Sequence, residues 1–184
     1  MSNSYFQFKE FTIHQETCGM KVGTDGVLLG AWAKGGQNML DIGTGTGLVA
    51  LMLAQRYRLS RVVGIEIDEA SFLQAQRNVA DSPFASRVIV VHKALQQFSS
   101  DETFDSIVSN PPFFVNALRA SGASRCVARH TDMLSYADLF AGVTRLLSAE
   151  GSFSAIIPAD CATAFVAEAY HHGLVPTRRC GIGI

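Results

Sequence analysis

The stretch Met39-Leu40-Asp41-Ile42-Gly43-Thr44-Gly45-Thr46-Gly47 runs from an apolar strand into a glycine-rich turn. Leu48 to Arg56 continues it as a helix, with Leu48, Leu51 and Met52 among its apolar residues. Glycines in such a strand-to-helix turn let the backbone bend tightly and approach a ligand, because no Cβ intrudes. Turns of this kind bind pyrophosphate in dinucleotide-binding proteins. Here the spacing is GxGxG rather than GxGxxG, and Asp41 leads into it. A carboxylate at that place repels a pyrophosphate but suits a cofactor that carries a positive ammonium or sulfonium.

Outward from this turn the chain alternates strands and helices. Arg61 to Ile67 reads as a β-branched strand, and Glu69 to Ala80 as the next helix. Val88 to Val91 is a third strand and Phe104 to Val108 a fourth. A long connection leads to a helix over Ser135 to Leu147, a fifth strand from Gly151 to Ile157, and a last helix from Ala162 to His171. This alternation predicts a parallel sheet with helices on both faces, a doubly wound, Rossmann-like α/β fold. The continuous apolar strands fit burial on both sides.

Upstream, Tyr5, Phe6 and Phe8, then Phe11 and Ile13, suggest a short strand pair covering one end, after which Asp25 caps an apolar helix from Gly26 to Trp32. Downstream, Val175 to Ile184 begins a further strand and stops at Gly181-Ile182-Gly183-Ile184. No internal repeat or low-complexity linker divides the chain. The expectation is one domain over residues 1–184, with an N-terminal cover and entry segment over 1–35 and a Rossmann-like core over 36–184.

Bulk properties exclude several classes. At 48% hydrophobic and 17% charged, the chain suits a compact core and argues against extensive disorder. No apolar stretch approaches the roughly 20 residues that cross a bilayer, and the start lacks a signal-peptide pattern, so a cytoplasmic protein with no membrane partner is expected. Cys18, Cys126, Cys161 and Cys180 are scattered without metal-like spacing, which predicts reduced thiols and no metal. A net charge of −1 gives no global basic field for nucleic acid. The distribution is less even: no acidic residue lies between Asp105 and Asp132, where Arg119, Arg125, Arg129 and His130 fall. That segment suits phosphate binding and equally an ordinary solvated loop.

Two further signals belong to the same edge of the predicted sheet. Glu66 closes the second strand about twenty residues after the turn, where a carboxylate accepts hydrogen bonds from a ribose diol. Asp68 reads as the cap of the next helix. Asn110-Pro111-Pro112-Phe113 follows the fourth strand as a stiff loop. Its amide and nearby carbonyls are acceptors and its ring is a stacking surface, which suits a planar group carrying an NH2.

On these residues the chain resembles a class I S-adenosylmethionine-dependent methyltransferase with the amino-methylating [Asn/Asp/Ser]-Pro-Pro-[aromatic] motif. The segment Met20-Lys21-Val22-Gly23-Thr24-Asp25-Gly26-Val27-Leu28-Leu29-Gly30-Ala31-Trp32 is similar to the entry segment of one subfamily, the bacterial adenine-N6 methyltransferases of valine tRNA. Leu40-Asp41-Ile42-Gly43, Leu51-Met52-Leu53-Ala54-Gln55 and Ala128-Arg129-His130 extend the likeness, which runs from about Phe6 to Pro176. There are departures. His92-Lys93-Ala94 stands where the family usually has an acidic residue near the cofactor adenine, and family members continue through a final strand pair, so by the resemblance the sheet is expected to be truncated at its C-terminal strand pair.

The resemblance implies S-adenosyl-L-methionine as cofactor and tRNA as partner, with the 6-amino group of adenine at position 37 as target. It places Asp41, Gly43, Gly45, Gly47, Glu66 and Asn110 at the cofactor, with Thr24 and Asp25 closing one side. Asn110 and the Pro111 carbonyl would accept hydrogen bonds from the target NH2, and Phe113 would stack on the purine. The same motif serves a guanine amino group in rRNA or a glutamine amide in a protein, so these remain alternatives. A truncated cofactor- or RNA-binding remnant is a third.

Overall fold

A computed structural model of the chain describes residues 3–17, 21–111 and 134–183. The described residues up to Asn110, with Leu146–Ile156, form one compact unit, and those of 111–145 and 157–184 form a second.

The first unit opens with two antiparallel strands, β1 (Tyr5–Gln7) and β2 (Thr12–His14), as the aromatic alternation predicts. Helix α1 (Thr24–Trp32) precedes the alternating run β3 (Asn38–Ile42), α2 (Leu48–Arg56), β4 (Arg61–Glu66), α3 (Glu69–Ala80), β5 (Val88–His92) and β6 (Phe104–Ser109). After α4 (Tyr136–Leu146) the chain returns as β7 (Leu147–Ala155). The strands form one sheet in the order β5-β4-β3-β6-β7, parallel throughout. Two corrections to the sequence expectation fall here. Strand β7 begins at Leu147 rather than Gly151, because Leu147 pairs with Phe104 before a register shift resumes the ladder at Ser106 and Ser152. No strand forms in the described residues 175–183.

The order has a functional consequence. From β3 the chain builds outward through β4 and β5, then returns to the other side of β3 with β6. That reversal makes a crevice at the carboxyl ends of β3 and β6, the place where open α/β sheets bind ligands. Burial of Met39, Leu51, Leu53, Val62 and Val108 in one cluster, with Ile13 of β2, fixes these strand ends in place. Arg56 donates to the carbonyls of Gly30 and Ala33, and Arg87 to those of Ala54, Tyr57 and Ser60. Both guanidinium groups thus satisfy carbonyls at or just beyond the C-terminal ends of α1 and α2.

The second unit holds α4 up to Arg145, a 3₁₀ turn at Ala159–Cys161 and α5 (Ala162–His171). Ser135 starts α4: its hydroxyl accepts the Asp138 N–H at 3.1 Å and donates to the Asp138 carboxylate at 2.7 Å. Phe165 packs edge-on to Tyr136 at 5.0 Å between ring centroids and lies 4.8 Å from Phe140. Among the described residues, no helix is long and apolar enough to cross a membrane.

Candidate active site

Three strand ends lie side by side. Ile42 of β3 is in register with Ile65 of β4 and with Ser109 of β6. The next residue in each chain direction is Gly43, Glu66 and Asn110. The glycine turn, the ribose-binding candidate and the amide therefore emerge from adjacent strands at one level.

The turn requires its glycines. Gly43, Gly45 and Gly47 have φ of 68°, 55° and 82°, a left-handed region that costs other residues about 1–2 kcal/mol each. A Cβ on Gly43 or Gly45 would meet nothing within 4 Å, so the space over the turn is open to a ligand. The amides of Gly43, Thr44, Gly45 and Gly47, by contrast, are engaged. Gly43 and Thr44 donate to the Ile65 carbonyl at 2.9 and 3.0 Å, Gly45 to Glu66 Oε2 at 2.8 Å, and Gly47 to the Thr44 carbonyl at 2.9 Å. A pyrophosphate-binding turn needs such N–H groups free. This turn instead presents a carboxylate-backed rim, which suits a cationic ligand.

Asp41 lies beneath that rim, 1% exposed. Its Oδ2 accepts the Thr44 hydroxyl at 2.6 Å and the Ala50 N–H at 3.1 Å. Burial pushes its carboxyl up to about 7, against the Thr44 and Ala50 bonds that pull it down, and the nearby Glu66 charge adds to the rise. A cation placed over the turn favours the ionised form and offsets the burial.

Glu66 works harder than the sequence suggests. Besides the Gly45 amide, its Oε1 accepts the N–H groups of Ile67 and Asp68 at 2.9 and 3.0 Å. A carboxylate has about four acceptor positions, so three bonds to the backbone leave one for a ribose hydroxyl. Asp68 caps α3 as expected, accepting the Ser71 N–H at 2.8 Å, a bond that holds its pKa below the ordinary carboxylate value.

Thr24 and Asp25 stand exposed in the first turn of α1. A Cβ on Gly26 would come 3.1 Å from Leu48 Cδ2, so the start of α1 lies beside the start of α2 and flanks the glycine turn. The cap expected of Asp25 is corrected: Gly23, extended at φ −120° and ψ 166°, is the N-cap, and no side chain bonds there. At its first-turn position Asp25 complements the helix dipole instead.

Asn110 is half-buried and directly follows Ser109, whose hydroxyl donates to the Ile42 carbonyl at 3.0 Å. Pro111 is buried and belongs to the second unit. Pro112, Phe113, Arg119, Arg125, Arg129 and His130 lie outside the described residues. His92, at the departure from the family pattern, stacks on Phe72 at 5.0 Å, with its Nε2 2.9 Å from the Ile67 carbonyl. A carbonyl only accepts, so Nε2 carries the hydrogen.

Several residues of the site escaped sequence reasoning. Thr44 is one, since a threonine between glycines carries no local signal for bonding to Asp41. Gly64 is another: a Cβ there would stand 2.9 Å from Thr44 Oγ1, so its missing side chain makes room for that bond.

Fold and site together define a class I S-adenosylmethionine-dependent methyltransferase. Residues 21–157 match the model of the methyltransferase small domain, and the chain belongs to that family. A relative from Bacteroides thetaiotaomicron, the tRNA1(Val) (adenine(37)-N6)-methyltransferase, is 50% identical over 185 residues, which is 99% of this chain and 78% of the relative. Proteins of the same name from Trichodesmium erythraeum and Pseudoalteromonas translucida are 46% and 41% identical, over 99% and 97% of this chain and 79% and 78% of theirs. Among solved structures, the precorrin-6y C5,15-methyltransferase of Geobacter metallireducens shares the fold at a TM-score of 0.55 and 16% identity, covering 80% of this chain and 70% of that one. An O-methyltransferase of Brevibacillus brevis does so at a TM-score of 0.57 and 16% identity, over 80% of this chain and 51% of its own.

Proposed function

We propose that this chain methylates the 6-amino group of an adenine in tRNA, at position 37 of valine tRNA, using S-adenosylmethionine. The alignment of Glu66, the Gly43 turn and Asn110 on adjacent strand ends carries the reading, because it sets a donor site beside an amide acceptor. The shared name of the relatives supports the choice of substrate.

The donor supplies an electrophilic methyl on a sulfonium. Gly43, Gly45 and Gly47 leave it room, Asp41 faces its positive charge from below, and the remaining acceptor position of Glu66 takes a ribose hydroxyl. Thr24 and Asp25 close one side. The adenine amine is a poor nucleophile because its lone pair is delocalised into the ring. Asn110 and the Pro111 carbonyl accept hydrogen bonds from it and favour the pyramidal nitrogen that develops as the methyl arrives, which stabilises the transition state rather than the bound substrate. In-line placement supplies much of the remaining acceleration.

Phe113 stacks on the purine, a contact worth about 1–3 kcal/mol. Arg119, Arg125, Arg129 and His130 meet the RNA phosphates. No strong base is needed, since the nitrogen becomes acidic only once alkylated. In this reading residues 1–184 act as one methyltransferase domain, without a metal, in the cytoplasm where tRNA is modified.

The test is methyl transfer from labelled donor to purified tRNA, rRNA and release factor, followed by nucleoside mass spectrometry. N6-methyladenosine in valine tRNA is expected. Label confined to protein or to guanine would overturn the proposal.

A further inference from the structure

Asn78 sits on α3 with no solvent exposure, and its amide is used almost in full. Its Oδ1 accepts the His14 N–H, and its Nδ2 donates to the carbonyls of His14 and Thr46, each at 2.9 Å. A primary amide combines two N–H donors with an acceptor oxygen. Aspartate lacks the donors and leucine lacks both, so neither side chain of similar size reproduces the set.

The partners are far apart in sequence and different in role. Thr46 lies inside the glycine turn, whereas His14 ends β2, 64 residues before Asn78. Ile13, next to His14, is fully buried, so the strand pair is anchored in the same core. Gln15 follows, also buried, and its Oε1 accepts the Val22 N–H at 2.7 Å just ahead of α1. A run of bonds thus leads from the turn through Asn78 and the strand pair to the segment that carries Thr24 and Asp25.

We propose that Asn78 is a positioning residue of the donor site: it ties the Thr46 carbonyl of the glycine turn to His14 of the N-terminal strand pair and couples donor affinity to the order of that pair. The proposal rests on the S-adenosylmethionine reading above. Coupling between two sites is reciprocal, so a ligand at the turn stabilises the strand pair as much as the strand pair favours the ligand. Removing the Asn78 amide takes this partner from the buried Thr46 carbonyl and from the part-buried N–H and carbonyl of His14.

The test uses the full chain and S-adenosylhomocysteine, with calorimetric titration and hydrogen exchange at the His14 amide. In the wild type the ligand slows that exchange. Asn78→Ala weakens binding about tenfold and abolishes the ligand-dependent slowing. Phe98→Leu, at a buried site remote in sequence from turn and strand pair, serves as a destabilised control and holds its affinity within about twofold of wild type. The wild-type exchange experiment stands even where Asn78→Ala fails to fold. Tight binding with unchanged His14 exchange would overturn the coupling. So would wild-type affinity in Asn78→Ala, or an equal loss in Phe98→Leu. Absence of binding to the wild type itself would overturn the donor reading and this inference with it.

Discussion

The Ser109 hydroxyl donates to the Ile42 carbonyl at 3.0 Å, a side-chain bond laid across two strands already paired at those residues. It joins the last residue before the glycine turn to the last residue before Asn110. Both residues are buried, at 1% and 3% exposure, so the bond is shielded from water. Its role follows from its place: it sets the spacing between the glycine turn and Asn110, which in the proposed mechanism hold the methyl donor and the accepting amine.

Ser109→Ala removes that bond and leaves the strand pairing of Ile42 with position 109 in place. Stability is expected to fall by about 1 kcal/mol, read from denaturant midpoints. Misplacement of reacting groups by an ångström costs up to about a hundredfold in rate. A kcat loss larger than any change in S-adenosylhomocysteine affinity is therefore expected. Unchanged kcat would show that the strand ladder alone holds the spacing.

Asn110→Ala should abolish methyl transfer while leaving cofactor affinity largely intact, because in the proposed mechanism its side chain acts on the accepting amine. Single-turnover rates beside calorimetric titration separate the two effects. Equal losses in both would move Asn110 from the acceptor to the donor.

Local signals made most of this frame legible. Helices α2, α3 and α5 stand where turn residues, the Asp68 cap and apolar spacing put them, since those cues act within a few residues. Misses came where distant partners decide. Leu147 joins β7 through Phe104, more than forty positions away, and a reading of Gly151 as a strand start cannot anticipate that. Asp41 and Glu66 were visible as carboxylates at strand ends, but their engagement with Thr44, Ala50 and Gly45 needs the folded turn. Asn78 and Gly64 look like ordinary helix and strand residues until their neighbours are in place.

Gly64→Ala tests the support beneath the turn. The new Cβ would stand 2.9 Å from Thr44 Oγ1 and force that hydroxyl away from Asp41. Overpacking of this kind costs about 1–3 kcal/mol. Pairing it with Thr44→Ala, which removes Oγ1 and Cγ2 and leaves only the Thr44 Cβ at 3.0 Å, should cost less than the sum of the single changes by at least about 0.5 kcal/mol. Additive losses in thermal or denaturant unfolding would show that the two sites do not meet.

Asp41 predicts opposite pH trends for stability and for donor binding. Its carboxyl, ordinarily near 3.8, is raised to about 7 by burial. Between those values the folded chain binds more protons than the unfolded one, so this contribution is fully present below about pH 4 and is lost as pH rises through about 7. A cationic donor prefers the ionised form, so its affinity should rise over the same window and level off above about pH 7. Calorimetry near pH 6.5 in buffers of different ionisation enthalpy should register proton release on binding. Asp41→Asn keeps an acceptor for Thr44 and Ala50 but no titrating charge, and both trends should flatten. A wild-type donor affinity that does not vary between pH 5 and pH 8 would show that the Asp41 charge takes no part in holding the donor.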